Sequence, residues 1–187
     1  MAFVLAAVVG FAFGGADQYL GSLLVLHPWS VSVSQMSAPW LILPFLFGTT
    51  QPRPRMAALL GTTVVLGALL GYFALTLSPF EGVALARFPA DWIALADSNH
   101  AVIVGGLLTA PLFGLLGHRW RERRSPVAAA AVAGALCLEP LARLATGRLF
   151  APNAVWLIEV ALGLLATAYF IRYRSRHPRP VSAFTSR

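Results

Sequence analysis

Residues 100–124 read HAVIVGGLLTAPLFGLLGHRWRERR, an apolar run that ends in a cluster of arginines. A helix needs about 20 mostly apolar residues to span the hydrocarbon core of a bilayer. Short loops on the cytoplasmic side of a membrane protein retain positive charge. The stretch therefore predicts a transmembrane helix over 100–117 that enters the cytoplasm at its arginine-rich end.

The same pattern recurs along the chain, with apolar runs at 2–26, 31–50, 56–77, 126–146 and 153–171. If these runs are six spans in all, most of the arginines fall on one side: Arg53, Arg55, Arg119, Arg121, Arg123, Arg124, Arg172, Arg174, Arg176, Arg179 and Arg187. The others are Arg87, Arg143 and Arg148. The charge asymmetry predicts that both termini are cytoplasmic.

Composition agrees with this class of protein. Hydrophobic residues make up 58% of the 187 residues and charged residues 11%, whereas a soluble domain is about 45–50% apolar and about 25% charged. We therefore predict an all-α polytopic membrane helix bundle, with residues 1–171 as a single six-helix domain and 172–187 as a disordered basic cytoplasmic tail. The net charge of +7 lies at span ends, so the lipid bilayer rather than nucleic acid is the predicted partner.

Metal and cofactor motifs are not found in the sequence. Cys137 is the only cysteine, and the four histidines lack ligand-spaced partners. The sequence contains no phosphate-binding loop, nucleophile elbow or HExxH motif. We therefore predict no metal, no cofactor and no catalytic residue, and whether the protein is an enzyme stays open.

Ionisable groups inside a membrane are costly, so each one suggests a functional site. Four lie in the outer halves of the predicted spans, and several polar or aromatic side chains lie at comparable depth, which predicts a polar cavity open to the outside. The candidate ligand-binding residues are Asp17, Gln18, Tyr19, Gln35, Trp40, Tyr72, His100, Glu139, Arg143, Trp156 and Glu159.

Several of these residues have two interpretations. Glu139 and Arg143 are spaced i, i+4 and either neutralise each other or contact a ligand. Asp17 either pairs across a helix interface, for example with Arg143, or lines the cavity. Glu159 lies three residues after Trp156, and a carboxylate beside an aromatic ring suits a cationic or ring-shaped ligand, although tryptophan is also common at membrane interfaces.

Three local features add structural predictions. The span over 31–50 contains Pro39 and Pro44, which predict a kink and a partly unwound outer end. The outer connection 78–99 is long enough for a lid over the cavity, and its residues 89–92 favour a short interfacial helix. Gly10 and Gly14 share one face of the first span, which predicts close approach of another helix.

Several stretches resemble a bacterial family. They are SAPW at 37–40 leading to Gly48, the glycine-rich run 61–72, residues 105–121 and Glu139. Over about residues 35–145 the chain resembles a domain-of-unknown-function family of small bacterial integral-membrane proteins. This resemblance implies a multi-pass protein of the bacterial plasma membrane and implies no ligand.

The predicted architecture also resembles the substrate-capture subunits of energy-coupling-factor vitamin transporters. In that family a small-xxx-small pattern on the first span docks the coupling subunit, and Ala6, Gly10 and Gly14 have this spacing. The resemblance implies a partner membrane subunit on the Gly10/Gly14 face.

Three functions remain open at this point. The first is a subunit that binds or transports a small solute through the outward cavity. The second is an intramembrane enzyme acting on a hydrophobic, isoprenoid-like substrate, with an acid to protonate it and aromatic rings to stabilise positive charge. The third is a membrane assembly subunit without a ligand.

Overall fold

The computed structural model describes residues 1–23, 28–79, 89–147 and 154–176. Within these ranges the chain forms α1 (Ala2–Ser22), α2 (Pro28–Ser34), α3 (Ala38–Thr49), α4 (Pro54–Thr76), α5 (Ala90–Ser98), α6 (His100–Arg123), α7 (Pro126–Ala145) and α8 (Ala154–Arg176). No strand occurs in the described ranges. The all-α prediction is confirmed.

Five helices are long and apolar enough to cross a membrane, namely α1, α4, α6, α7 and α8. Their outer surfaces expose large apolar side chains such as Leu138 (64%), Leu157 (70%) and Leu165 (65%). Such a surface is stable in lipid. In water it would leave a large apolar area exposed to the solvent, which is unfavourable. The protein is therefore a multi-pass membrane protein.

The predicted span over 31–50 is not one helix. It consists of α2 and α3, with residues 35–37 outside both helices. Helix α3 has 12 residues, which gives about 18 Å at the usual rise, short of the ~30 Å hydrocarbon core. Pro39 lies in the first turn of α3, where its missing N–H costs nothing. The predicted unwinding of this segment is confirmed.

Glycines let α1 and α4 touch backbone to backbone. A Cβ added to Gly10 would overlap the Val64 carbonyl, and one added to Gly14 would overlap the Ala68 carbonyl. Gly67 and Gly71 on α4 approach α1 in the same way, against Ala7 and Phe11. The Gly10/Gly14 face is thus covered by α4 of the same chain, which corrects the prediction that it docks a separate subunit.

These contacts also fix the helix directions. Gly10 and Gly14 meet Val64 and Ala68 in rising order, so α1 and α4 run parallel. The chain between them, α2 and α3, therefore returns across the bundle. Gly61 meets Ala110 and Gly114 meets Ala57, so α6 is antiparallel to α4.

The last two helices pack as a pair. Gly163 of α8 packs on Cys137 of α7, and Arg143 of α7 lies over the Trp156 ring. The sequence order of these contacts makes α7 and α8 antiparallel.

One end of the bundle collects the arginines, and we call it the arginine end. It comprises the end of α3, the start of α4, the end of α6 and the start of α7. Arg121 Nη1 donates a hydrogen bond to the Thr50 carbonyl (2.9 Å). Arg124 Nη2 donates to the Tyr173 hydroxyl (3.0 Å), and its guanidinium lies 4.5 Å from the centre of that ring. These contacts connect α3, α6 and α8 at this end.

The predicted boundary between the bundle and the tail is displaced. Helix α8 continues through Arg176, so residues 172–176 are helical rather than part of a disordered tail. The remainder of the predicted tail, residues 177–187, lies outside the described residues.

Candidate functional site

The break between α2 and α3 is held by a carboxylate from another helix. The Ser37 N–H donates to both carboxylate oxygens of Glu139 at 2.8 Å, and the Ala38 N–H donates to Oε2 at 2.9 Å. These N–H groups belong to the start of α3, where the first backbone donors have no helical partner. A carboxylate at this position is also favoured by the helix dipole. Glu139, which belongs to α7, therefore caps the N-terminus of α3.

Arg143 completes this arrangement. Its Nε and Nη2 donate to Glu139 Oε1 at 3.0 and 2.8 Å, and Nη2 also donates to the Gln35 carbonyl. The guanidinium lies 5.0 Å from the centre of the Trp156 ring. We call Glu139 and Arg143, with their backbone partners at residues 35, 37 and 38, the outer clasp. The clasp fixes the non-helical residues 35–37 against α7.

These bonds settle which acid Arg143 pairs with. Its ion pair is with Glu139, and none joins it to Asp17 among the residues that the structure describes. Asp17 has the Trp40 indole as its hydrogen-bonding neighbour. The prediction that Asp17 lines the cavity is the one that the geometry supports.

A cavity of about 440 Å³ lies on the other side of the same break, between α1, α3, α4 and α6. Its polar lining consists of Asp17, Ser34, Gln35, Ser37, Tyr72, Asn99 and Thr109. Most of the wall is apolar, with Leu41, Leu69, Phe73 and Val102 among the lining residues. Asp17 is the one charged side chain among the described residues that line it.

Aromatic rings build the wall beside Asp17. The Trp40 ring packs edge to face on Phe13 with centroids 5.3 Å apart, and on Tyr72 at 6.5 Å. Tyr72 packs in turn on Phe73 at 5.9 Å. A carboxylate set among aromatic faces attracts a positively charged group, because both the charge and the ring quadrupoles favour a cation.

The predicted site residues thus separate into two groups. Asp17, Gln35, Trp40 and Tyr72 line the cavity. A second group lies behind the break, at the interface of α7 and α8: Glu139, Arg143, Trp156 and Glu159. Residues 35–37 connect the two groups, because Gln35 and Ser37 line the cavity and also bind the clasp through their backbones.

Three predicted residues belong to neither group. They are Gln18, Tyr19 and His100. Tyr19 is 54% exposed on the outer surface of α1, and His100 is exposed at the start of α6, where its Nδ1 is hydrogen-bonded to the Asp97 carbonyl at 2.7 Å. The sequence placed these residues only by depth along each predicted span, and the rotation of each helix was not fixed by the sequence.

Other lining residues were missed. Ser37, Asn99 and Thr109 line the cavity, and the sequence offered a signal for the first two. Serine before Ala-Pro is typical of a helix start, and Asn99 ends the connection that the sequence placed outside.

The outer connection is partly described. The predicted short helix at 89–92 is confirmed as α5, which has Trp92 half-buried. Residues 80–88, which the lid prediction also involves, lie outside the described residues.

No group of three metal-ligating side chains occurs in the described part of the chain. Of the acids described above, Glu139 forms an ion pair with Arg143. We assign no metal role to them.

One family model matches the chain, over residues 1–186. The chain belongs to DUF6518, a family of unknown function. The resemblance carried by residues 35–145 therefore extends over almost the whole chain, including Asp17 and the second group. No curated protein and no solved structure matches the chain, so membership of DUF6518 supplies no ligand.

Proposed function

We propose that this DUF6518 protein binds a small amphipathic organic cation from the outer side of the bacterial plasma membrane, as a solute-binding or transport subunit. The observation that supports this most strongly is Asp17. It is the one charged side chain on a largely apolar, aromatic-walled cavity, and no ion pair joins it to a basic side chain in the described residues.

The cavity has a suitable size and chemistry. Its volume of about 440 Å³ falls in the range of about 300–1,000 Å³ typical of small-molecule sites. Apolar walls exclude water and strengthen the attraction of a single carboxylate for a cation. The polar groups Asn99 and Thr109 would orient the ligand by hydrogen bonds.

The proposal includes a topology with six crossings and both ends in the cytoplasm. It is supported by the parallel run of α1 and α4, which requires α2 and α3 to bring the chain back between them. It is also supported by the collection of arginines at one end of the bundle, which short cytoplasmic loops retain. The cavity then opens away from the cytoplasm.

Single-cysteine labelling tests this topology. With Cys137 replaced by serine, we expect Ser22→Cys, at the end of α1, to react with a membrane-impermeant maleimide on intact cells. Pro52→Cys, after α3, should react only once the membrane is permeabilised. Labelling of both positions from the same side would show that α2 and α3 do not cross.

The binding proposal is tested with benzyltrimethylammonium as the probe, by calorimetry on purified protein in mild detergent. Asp17→Asn keeps the shape of the side chain and removes its charge. We expect this change to weaken probe binding by at least about tenfold, since a charge–cation contact in a desolvated site contributes about 1.4 kcal/mol or more. The neutral analogue benzyl alcohol should bind weakly to both proteins.

Asp97→Asn is the matched control. Asp97 is an exposed aspartate on α5 that does not line the cavity, so its loss should leave the probe affinity unchanged. Equal binding by wild type and Asp17→Asn would contradict the proposal. Mass spectrometry of small molecules released from the denatured protein would then identify what the cavity holds.

A second function is favoured by the same apolar walls. An acid beside aromatic rings could protonate an alkene of an isoprenoid, and loss of a proton elsewhere would give an isomer of equal mass. Recovery of a prenyl lipid from the purified protein, with turnover to an isomer that Asp17→Asn abolishes, would support this enzyme over the solute-binding subunit.

A further inference from the structure

Glu159 is a buried acid that does not line the proposed cavity. It lies on α8 with 0% exposure, and neither of its carboxyl oxygens makes a hydrogen bond within the described part of the chain. Buried polar groups nearly always have a partner, so an orphaned carboxyl requires an explanation. An ionised carboxylate in such a place costs far more free energy than a neutral one.

The groups that face Glu159 come from two helices. From α7 these are Glu139, which has the stronger electrostatic influence, and then Arg143. From α2 the packed residues 29–34 carry serines and no titratable side chain. On α8 itself, Trp156 lies one turn away and supports Arg143. Glu159 thus faces one acid and one base.

Glu139 and Arg143 form an ion pair with each other. Glu139 also accepts bonds from two backbone N–H groups of α3, which stabilises its ionised form. Two facing carboxylates at close range cannot both be ionised cheaply. Of the two, Glu159 is the carboxyl without a hydrogen-bond partner in the described residues, and Glu139 lies beside it.

We propose that Glu139 and Glu159 form a proton-binding site that controls the outer clasp. In the protonated state, the Glu159 hydroxyl donates to a Glu139 oxygen and Arg143 stays on Glu139 and the Gln35 carbonyl. When the proton leaves to water, the second carboxylate competes for Arg143. The Gln35 carbonyl then loses its donor, and residues 35–37 are no longer fixed against α7.

This site regulates the cavity because the two share residues 35–37. Gln35 and Ser37 line the cavity on one side and bind the clasp on the other. Loss of the proton therefore changes the cavity wall and the affinity for a cation. This consequence rests on the proposed function, whereas the proton site itself does not.

The proton is tested directly by infrared spectroscopy of the protein in lipid vesicles at neutral pH. A protonated carboxyl gives a C=O stretch separate from that of a carboxylate. We expect one such band to shift on labelling with ¹³C-glutamate, to disappear in Glu159→Gln and to persist in Glu122→Gln. Glu122 is the matched control because its side chain is 47% exposed at the arginine end. Absence of a glutamic acid band, or its persistence in Glu159→Gln, would overturn the proposal.

The coupling is tested by the pH dependence of benzyltrimethylammonium binding. In wild type we expect the dissociation constant to change with pH by up to about tenfold per unit, the limit for one linked proton. Glu159→Gln, a neutral stand-in for the protonated acid, should lose the part of this dependence that Glu159 contributes and keep only the part due to Asp17. An unchanged pH profile in Glu159→Gln would overturn the coupling.

The two proposals fail in different ways. If the probe does not bind at any pH, the proposed cavity function fails, and the infrared band still decides the proton site. If Glu159→Gln does not fold, the isotope-labelled wild type decides it, because a glutamic acid band that titrates in the folded protein supports the site and its absence refutes it.

Discussion

Replacing Gly14 with alanine is expected to destabilise the bundle by about 1–3 kcal/mol or more, the usual cost of inserting a methyl group into a closely packed interface. The new Cβ would overlap the Ala68 carbonyl of α4. That obstacle is backbone, so a side-chain rotation does not relieve it, and α1 must move away from α4. The double change Gly10→Ala with Gly14→Ala should prevent assembly of the two helices, because Gly10 meets the Val64 carbonyl in the same way. Thermal unfolding in mild detergent, followed by the loss of the monodisperse gel-filtration peak, measures the effect.

Gly15 supplies the matched control on the same helix. A Cβ at Gly15 would come no closer than 3.8 Å to the Gly71 carbonyl, which is ordinary contact. Alanine is also the better helix former, by about 1 kcal/mol, so Gly15→Ala should be neutral or stabilising. Equal unfolding temperatures for Gly14→Ala and Gly15→Ala would show that α1 does not pack on α4 through this face.

The interface between α1 and α4 shows which part of the helix packing could be predicted from the sequence. The i, i+4 spacing of Gly10 and Gly14 predicted a face that another helix approaches closely, and that is correct. The pattern did not identify the helix, because a small-residue face accepts any surface of complementary shape. Gly67 and Gly71 carry the matching pattern on α4, so these two small-residue faces pack on each other within one chain.

The sequence analysis placed the candidate residues by depth along each predicted span and could not place them by helix rotation. Counting residues along apolar runs predicted Asp17, Glu139, Arg143 and Glu159 in the outer half. In the structure Glu139, Arg143 and Glu159 lie together at α7 and α8, and Asp17 lines the cavity on the other side of residues 35–37. Which way each helix turns depends on packing between helices, and the low amphipathicity of membrane helices gives little signal for it. The single predicted cavity therefore corresponds in the structure to two separate features, the cavity and the outer clasp.

The break between α2 and α3 illustrates a second limit. Pro39 and Pro44 predicted a kink and a partly unwound outer end of this segment. Backbone groups without partners are costly in a membrane and persist only where the protein satisfies them. Here the hydrogen-bonding partners of the backbone are the side chains of Glu139 and Arg143, about a hundred positions later in the chain. A local pattern of residues holds no information on such a distant partner.

Removing the Glu139 side chain is expected to destabilise the folded protein by about 3–5 kcal/mol, the range for breaking a buried ion pair by deleting one partner. Glu139→Ala leaves Arg143, which is 22% exposed, without its carboxylate. It also leaves the Ser37 and Ala38 N–H groups without an acceptor. Glu139→Gln keeps an acceptor oxygen and loses the charge, so its effect should be intermediate. Unfolding in mixed detergent, followed by helical circular dichroism, measures the difference.

Glu122→Ala is the control, because it also removes a glutamate that pairs with a basic residue four positions away. The Glu122 carboxylate lies 3.2 Å from His118 Nε2 and is 47% exposed, so water replaces the lost contact and the expected cost is below about 1 kcal/mol. A second comparison separates the ion pair from the cap. In Glu139→Ala with Arg143→Ala no unpaired charge remains, so the double variant should be less destabilised than the sum of the two single variants, yet still less stable than wild type because the start of α3 has lost its acceptor. Equal stability of Glu139→Ala and Glu122→Ala would mean that the clasp does not hold the break, and the control of the cavity by Glu159 would lose its physical connection.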